Sequence, residues 1–168
     1  MKVYKDNPNA QLPQFATDGS ACFDLKSCFA QGDRLKSYNA WNKEQPVVAK
    51  DLVDGVPAIK IPPECRVLIP TGLIFDIPDN HVLKIYVRSS VALKKGLTLA
   101  NNTGIIDSDY VDPLYIVLYN LSDTLVMLKH DERIGQGMLQ KTLKYSLSET
   151  TEKPEQKTNR DGGLGSTG

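Results

Sequence analysis

Short apolar runs separated by turn residues set the pattern of the central part of the chain. The runs are rich in Val, Ile, Leu and Tyr, and Pro, Gly, Asn and Asp lie between them. They cover residues 58–61, 66–69, 73–77, 82–87, 114–119 and 125–128. Runs of this length and composition predict β-strands. We therefore predict an all-β domain, a jelly roll, sandwich or barrel, in preference to a fold of alternating strands and helices.

One segment, residues 89–96 (SSVALKKG), carries helix signals. A serine is available to cap its start, Lys94 and Lys95 suit the negative end of a helix dipole, and Gly96 can end the helix. The predicted helix has fewer than two turns, so it leaves the prediction of a β fold unchanged.

Two segments fall outside the strand pattern. Residues 30–56 are of mixed polarity and contain the single tryptophan, Trp41. A segment of that length is either an ordered excursion or a mobile loop, and the sequence leaves both open. Residues 146–168 are almost devoid of apolar side chains and are expected to be disordered on their own. We predict one β domain over residues 1–145, with an insertion at about 30–56, followed by a flexible C-terminal arm over 146–168.

Composition and charge narrow the function classes. The 168 residues include 20 Lys and Arg against 20 Asp and Glu, so the net charge is zero. Stable nucleic-acid binding, which usually requires a basic surplus, is not expected. The longest apolar run is far shorter than the ~18 residues that span a bilayer, so no membrane association is expected. The three cysteines are sparse and odd in number, which is typical of reduced thiols in a cytoplasmic protein.

A first candidate for chemistry is Arg88-Ser89-Ser90, directly before the predicted helix. A helix start presents unpaired N–H groups and the positive end of the dipole, and the serine hydroxyls and the arginine add donors. The segment can therefore bind phosphate, or it can be an ordinary serine cap beside a surface arginine.

Two further candidates are residues 104–110 (GIIDSDY) and the glycine-rich end, residues 160–168. In the first, apolar residues precede Asp107, which can hold its carboxylate as a general base. The alternative is a simple turn, since Asp-Ser-Asp is common turn chemistry. The second can wrap its backbone around phosphates, or it can be a terminus without function.

These three segments and two others resemble, in the same order, the five motifs of the homotrimeric dUTPase family. The matching segments are residues 12–25 (LPQFATDGSACFDL), 88–96, 104–110, 131–136 (DERIGQ) and 160–168 (RDGGLGSTG). Each motif is weak alone, but five in order across nearly the whole chain identify it as a member of that family.

The resemblance implies a homotrimer of jelly-roll subunits whose active sites are shared between chains and hydrolyse dUTP to dUMP and pyrophosphate with Mg²⁺. Asp107 would orient and deprotonate the attacking water, and Asp24 would contact Mg²⁺ through water. The phosphate chain would be held by Arg88, Ser89, Ser90 and Gln136.

The resemblance also implies how the nucleoside is bound. Asn101, in the hairpin with Gly104, Ile105 and Ile106, would face uracil, and Tyr115 would lie on the returning strand. Tyr110 would pack under the deoxyribose and exclude a ribose 2′-hydroxyl. The arm would close over the nucleotide of neighbouring subunits through Arg160, Leu164, Gly165 and Ser166. Leu164 replaces the family's usual aromatic residue, and Arg160 lies one residue closer to the glycine pair than usual.

Two other functions compete with this one. A dCTP deaminase, or a bifunctional relative, shares the fold and the Arg-Ser-Ser segment. Its pattern has Arg at the position of Leu93 and Glu near Val117, and this chain has neither. The other is a nucleotide-gated interaction protein, in which residues 30–56, with Tyr38 and Trp41, bind a partner.

Overall fold

A computed structural model describes residues 1–159 and residue 162, and within them the chain forms antiparallel strands and one short helix. The elements are β1 (Lys2–Lys5), β2 (Phe23–Lys26), β3 (Arg34–Leu35), β4 (Ser37–Tyr38), β5 (Val47–Val48), β6 (Asp51–Val53), β7 (Val56–Ile61), β8 (Arg66–Pro70), β9 (Leu73–Asp76), β10 (His81–Val87), α1 (Ser89–Lys95), β11 (Leu97–Leu99), β12 (Gly104–Ile106), β13 (Tyr115–Asn120), β14 (Val126–Lys129) and β15 (Arg133–Lys141). Each predicted apolar run coincides with a strand to within two residues at either end. The prediction of an all-β, jelly-roll-like fold is confirmed.

Two four-stranded sheets enclose the core, with strand orders β12-β10-β15-β2 and β11-β13-β8-β4. Successive side chains of a strand point to opposite faces, so Val67 and Ile69 of β8 face inward and are fully buried. The sheets pack closely, since a Cβ added to Gly135 of β15 would lie 2.8 Å from the Ile116 side chain of β13. A three-stranded sheet, β14-β7-β6, and the pairs β1-β9 and β3-β5 complete the fold.

The longest described strand, β15, was not predicted from the apolar pattern. It contains Gly135 and Gly137, and glycine lowers strand propensity. Both glycines are buried, and a Cβ on Gly137 would lie 2.6 Å from the Phe23 ring. The sequence signal for β15 is weak because its glycines have no side chains that favour a strand. Close packing between β10 and β2 favours the strand instead.

Residues 30–56 contain four short strands, β3, β4, β5 and β6. The insertion supplies β4, which extends one sheet by pairing with β8, and β6, which pairs with β7. Leu35 and Ala49 are buried and anchor the segment to the core. Trp41 is 78% exposed. The insertion is therefore built into the domain while presenting its tryptophan to solvent.

The helix α1 ends as predicted, because Gly96 adopts a left-handed conformation with φ 62°. The predicted serine cap is wrong. Arg88 holds the N-cap position in extended conformation, and no side chain caps the helix. The strand β10 runs to Val87, so the helix begins directly after Arg88 and both serines are already helical. No helix in residues 1–159 is long and apolar enough to cross a membrane.

Candidate active site

Asp24 connects three of the motif segments through two ion pairs. Its Oδ1 lies 2.7 Å from Nε of Arg88, and its Oδ2 lies 3.1 Å from Nη1 of Arg133. The Asp24 and Arg88 side chains are mostly buried. Because charge-assisted hydrogen bonds are strong when partly shielded from water, Asp24 fixes the position of the Arg88 guanidinium.

Gln136 lies beside this ion pair. It is directly opposite Asp24 in the β15-β2 ladder, and its amide donates to the Val87 carbonyl at 3.2 Å. Ser90 is near as well, with its hydroxyl 3.5 Å from Nη1 of Arg88. The structure thus brings the predicted phosphate ligands together at one end of a sheet. We call these residues the phosphate cluster: Arg88, Ser89, Ser90 and Gln136. The cluster offers guanidinium, hydroxyl, amide and helix-start N–H donors, the groups that bind phosphate oxygens.

The predicted nucleoside residues lie on β12, on β13 and in the turns on either side of β12. The expected hairpin is not formed among the described residues, because β11 pairs with β13 and β12 pairs with β10, in different sheets. The Thr103 N–H donates to the Asn101 carbonyl at 2.6 Å, which makes the connection tight. Gly104 is buried against Ile85, with 3.0 Å from an added Cβ to the Ile85 Cβ, so a larger residue would push β12 away from β10. β13 runs alongside, since the Ala100 N–H donates to the Val117 carbonyl. That pairing places Tyr115 near the turn between β11 and β12.

Asp107 and Tyr110 follow β12 in a turn. The Tyr110 N–H donates to the Asp107 carbonyl at 3.2 Å, and its hydroxyl donates to the Pro113 carbonyl at 3.0 Å. Burial raises the pKa of the Tyr110 hydroxyl, and Asp112 and Tyr115 raise it further. The hydroxyl therefore stays protonated and remains a donor. The turn expected from Asp-Ser-Asp is present, and it leaves the Asp107 side chain accessible at the wall of a cavity of about 600 Å³.

Within one chain, Asp107 is far from the phosphate cluster. Ile106 pairs with Leu83, so Asp107 lies beside the start of β10, whereas Arg88 follows its end. The six residue-to-residue steps from Val82 to Arg88 span about 20 Å at the rise of a strand. A single subunit therefore presents two half-sites, one with the candidate base and the nucleoside residues, the other with the phosphate cluster.

Sequence reasoning did not assign a role to Arg133, although the residue lies in the fourth motif segment. Its ion pair with Asp24 joins positions 109 residues apart, and no local pattern reveals such a pairing. The predicted arm residues Arg160, Leu164, Gly165 and Ser166 lie outside the described residues.

Comparisons with known proteins agree with this geometry. The dUTPase family model matches residues 56–168. The deoxyuridine 5'-triphosphate nucleotidohydrolase of Hydrogenobaculum sp. (strain Y04AAS1) is 35% identical over 166 residues, covering 99% of this chain and 96% of the relative. The enzyme of the same name from Dinoroseobacter shibae is 34% identical over 157 residues, covering 94% and 87%.

Solved structures give the same fold. The crystal structure of dUTPase from Streptococcus mutans superimposes with a TM-score of 0.65 at 24% identity, covering 87% of this chain and 99% of that chain. The Staphylococcus bacteriophage 80alpha dUTPase with dUPNHPP gives a TM-score of 0.73 at 20% identity, covering 99% and 97%. The family model spans well over half of the chain and the first relative nearly all of it, so the chain belongs to the dUTPase family.

Proposed function

We propose that the protein hydrolyses dUTP to dUMP and pyrophosphate through a water held by Asp107. The water oxygen bonds to the α-phosphorus, and the bond from that phosphorus to the bridging oxygen of the β-phosphate breaks. The water proton passes to the Asp107 carboxylate, and pyrophosphate leaves. Family membership supports the substrate, and the accessible Asp107 carboxylate at a cavity wall is suited to general-base chemistry.

The separation between Asp107 and the phosphate cluster is the observation that carries the rest of the proposal. A triphosphate cannot contact both half-sites of one chain while its α-phosphate lies beside Asp107. A neighbouring chain can supply the missing half, and a heterologous contact forms a ring when its rotation closes. The proposed assembly is a homotrimer in which each site takes Asp107 from one subunit and Arg88, Ser89, Ser90 and Gln136 from another.

Phosphate binding accounts for most of the proposed catalysis. Cleavage of a phosphoanhydride needs charge neutralisation and positioning more than covalent chemistry. Arg88 is preorganised for that task, because Asp24 already holds its Nε at 2.7 Å and the Ser90 hydroxyl lies 3.5 Å from its Nη1. Gln136 adds an amide, which donates to the carbonyl of Val87, the residue before Arg88.

The chain's own residues fit a Mg²⁺ ion that arrives with the nucleotide. Within residues 1–159, no group of three His, Cys, Asp or Glu side chains could form a metal cage. Both Asp24 oxygens already accept from arginines. Mg²⁺ commonly keeps several waters and binds substrate phosphates with one or two carboxylates, so Asp24 would hold the ion through water. The ion would neutralise charge on the phosphate chain.

Uracil and deoxyribose recognition is proposed for β12 and the turns on either side of it. Asn101, with the backbone of Gly104, Ile105 and Ile106, would bind the base, because the tight turn and the pairing of β12 with β10 hold these donors and acceptors in place. A site with fixed polar groups rejects cytosine by leaving some of them unpaired, which is a strong form of discrimination. Tyr110, held through its hydroxyl, would pack under the deoxyribose with Tyr115 nearby.

The proposed domain organisation is one β domain over residues 1–145 and an arm over 146–168. The described part of the arm, residues 146–159, has no helix or strand and is exposed. The arm would close over bound nucleotide through Arg160, Leu164, Gly165 and Ser166 and exclude water, as catalytic lids do.

Chromatographic product analysis tests this function. Purified protein is incubated with Mg²⁺ and separately with dUTP, dCTP, dTTP or UTP. Release of dUMP and pyrophosphate from dUTP alone is the expected result. Conversion of dCTP to a uracil nucleotide would favour a deaminase, and the absence of turnover with every nucleotide would contradict the proposal.

A further inference from the structure

The cavity beside Asp107 contains a lysine that the proposed function does not use. Lys84, of β10, lines the same cavity of about 600 Å³ as Asp107, together with His81, Asp109 and Lys144. The Asp107 carboxylate and the Lys84 ammonium thus lie on the wall of one space, with room between them for an anion and a water molecule.

The strand register fixes Lys84 close to the candidate base. Lys84 is directly opposite Ile105, and Asp107 is two residues beyond Ile105. Side chains of directly opposite residues share a face of the sheet, and diagonal neighbours on that face are ~7 Å apart. The flexible four-carbon stem of a lysine can cover that distance.

Neither charge is satisfied within the described part of the chain. The ion pairs formed by residues 1–159 include neither Lys84 nor Asp107. The other basic groups of the cavity are less suitable. His81 is engaged through Nδ1, 2.9 Å from the Asp79 carbonyl, and Lys144 lies beyond the end of β15. Lys84, by contrast, is anchored by ladders to β12 and β15 on both sides.

We propose that Lys84 binds the α-phosphate of the nucleotide held by its own chain, next to the water that Asp107 activates. This inference rests on the proposed function. A water poised for attack is ~3 Å from the α-phosphorus, so the oxygens of that phosphate lie within reach of a lysine on the same cavity wall. Arg88 of the same chain lies ~20 Å from Asp107, beyond the other end of β10, and cannot contact that phosphate. Lys84 thus provides the base-bearing subunit with its own phosphate contact.

Steady-state kinetics of Lys84→Met with dUTP is the first test. We expect kcat to fall by ~10- to 10²-fold and KM to rise, because a fixed cation that contacts the α-phosphate of bound substrate and of the transition state is lost. Lys84→Arg, which keeps the charge, should retain most of kcat. Lys141→Met is the matched control: this exposed lysine on β15 does not line the cavity, and its kcat should equal that of the parent protein.

Ligand binding provides a second readout that does not depend on turnover. The affinity for dUMP, measured by calorimetry, should fall about tenfold in Lys84→Met, while the affinity for deoxyuridine stays unchanged. An unchanged dUMP affinity together with an unchanged kcat would overturn the inference, as would equal losses in Lys84→Arg and Lys84→Met. If the parent protein turns over dUTP and Lys84→Met does so equally well, only the Lys84 inference fails. Lack of turnover by the parent protein contradicts the proposed function itself.

Discussion

Complementation between two inactive variants is the most direct test of a site shared by two chains. Asp107→Asn removes the base and leaves the phosphate cluster intact, whereas Arg88→Ala removes the central cluster residue and leaves the base. Because the two positions are ~20 Å apart in one chain, each variant retains the half-site that the other lacks. Alone, each is expected to lose at least ~10² in kcat.

The structure gives the expected magnitude for a mixture. In trimers assembled at random from equal amounts of both variants, an intact Asp107 half-site meets an intact Arg88 half-site in about one site in four. Coexpression with two affinity tags and sequential purification yields the mixed trimers, and native mass spectrometry verifies them. Removing the homotrimers leaves one intact site of three in every mixed trimer, so the turnover of the mixed trimers should approach about a third of the parental rate per site. Arg88→Ala should still fold, since Arg133 remains paired with Asp24 at 3.1 Å.

A control distinguishes a shared site from one contained in a single chain. The double variant, with Asp107→Asn and Arg88→Ala in one chain, is coexpressed with parent protein at equal amounts. A shared site predicts about a quarter of the parental activity, whereas a site within one chain predicts about a half. Verified mixed trimers of the two single variants that are no more active than either alone would refute the reasoning, as would a monomeric protein in native mass spectrometry.

The remaining predictions concern the base, the arm and the core. Asp107→Asn should lower kcat by at least ~10² while calorimetry with a non-hydrolysable dUTP analogue shows retained binding, and near-parental turnover would exclude Asp107 as the base. Deleting residues 157–168 should lower kcat and leave the oligomeric mass unchanged, and dissociation would contradict a purely lid-like arm. Gly137→Ala should cost ~1–3 kcal/mol of unfolding free energy in urea titration, because the new Cβ would lie 2.6 Å from the Phe23 ring. Gly19→Ala, with open space around it, is the control and should be nearly neutral.

Local pattern was sufficient for most of the strands. The apolar runs match β7, β8, β9, β10, β13 and β14 because Val, Ile and Leu favour a pleated, half-buried surface wherever they cluster. Gly96 ends the helix as predicted, since a left-handed residue there favours glycine. Five motifs in order were enough to identify the family, which the comparisons confirm.

Other features depend on partners distant in sequence. Residues 133–141 form a strand although Gly135 and Gly137 weaken its signal, because β10 and β2 pair with it on both sides. The sequence does not show whether residues 30–56 are ordered, because their order depends on the burial of Leu35 and Ala49 in the core. The serine cap was expected from local preference alone. Because β10 continues to Val87, the helix begins directly after Arg88, and Arg88 takes the N-cap position.

The sequence by itself determined which residue types are present for the chemistry, because motif order and strand propensity are local properties of the chain. Only the tertiary structure decided which of them meet. Asp24 meets Arg88 and Arg133 because β2, β10 and β15 share a sheet. Asp107 and Arg88 lie at opposite ends of β10 because the antiparallel register fixes the start of β10 beside Ile106. Such placements arise from pairing between distant segments, which no local pattern encodes.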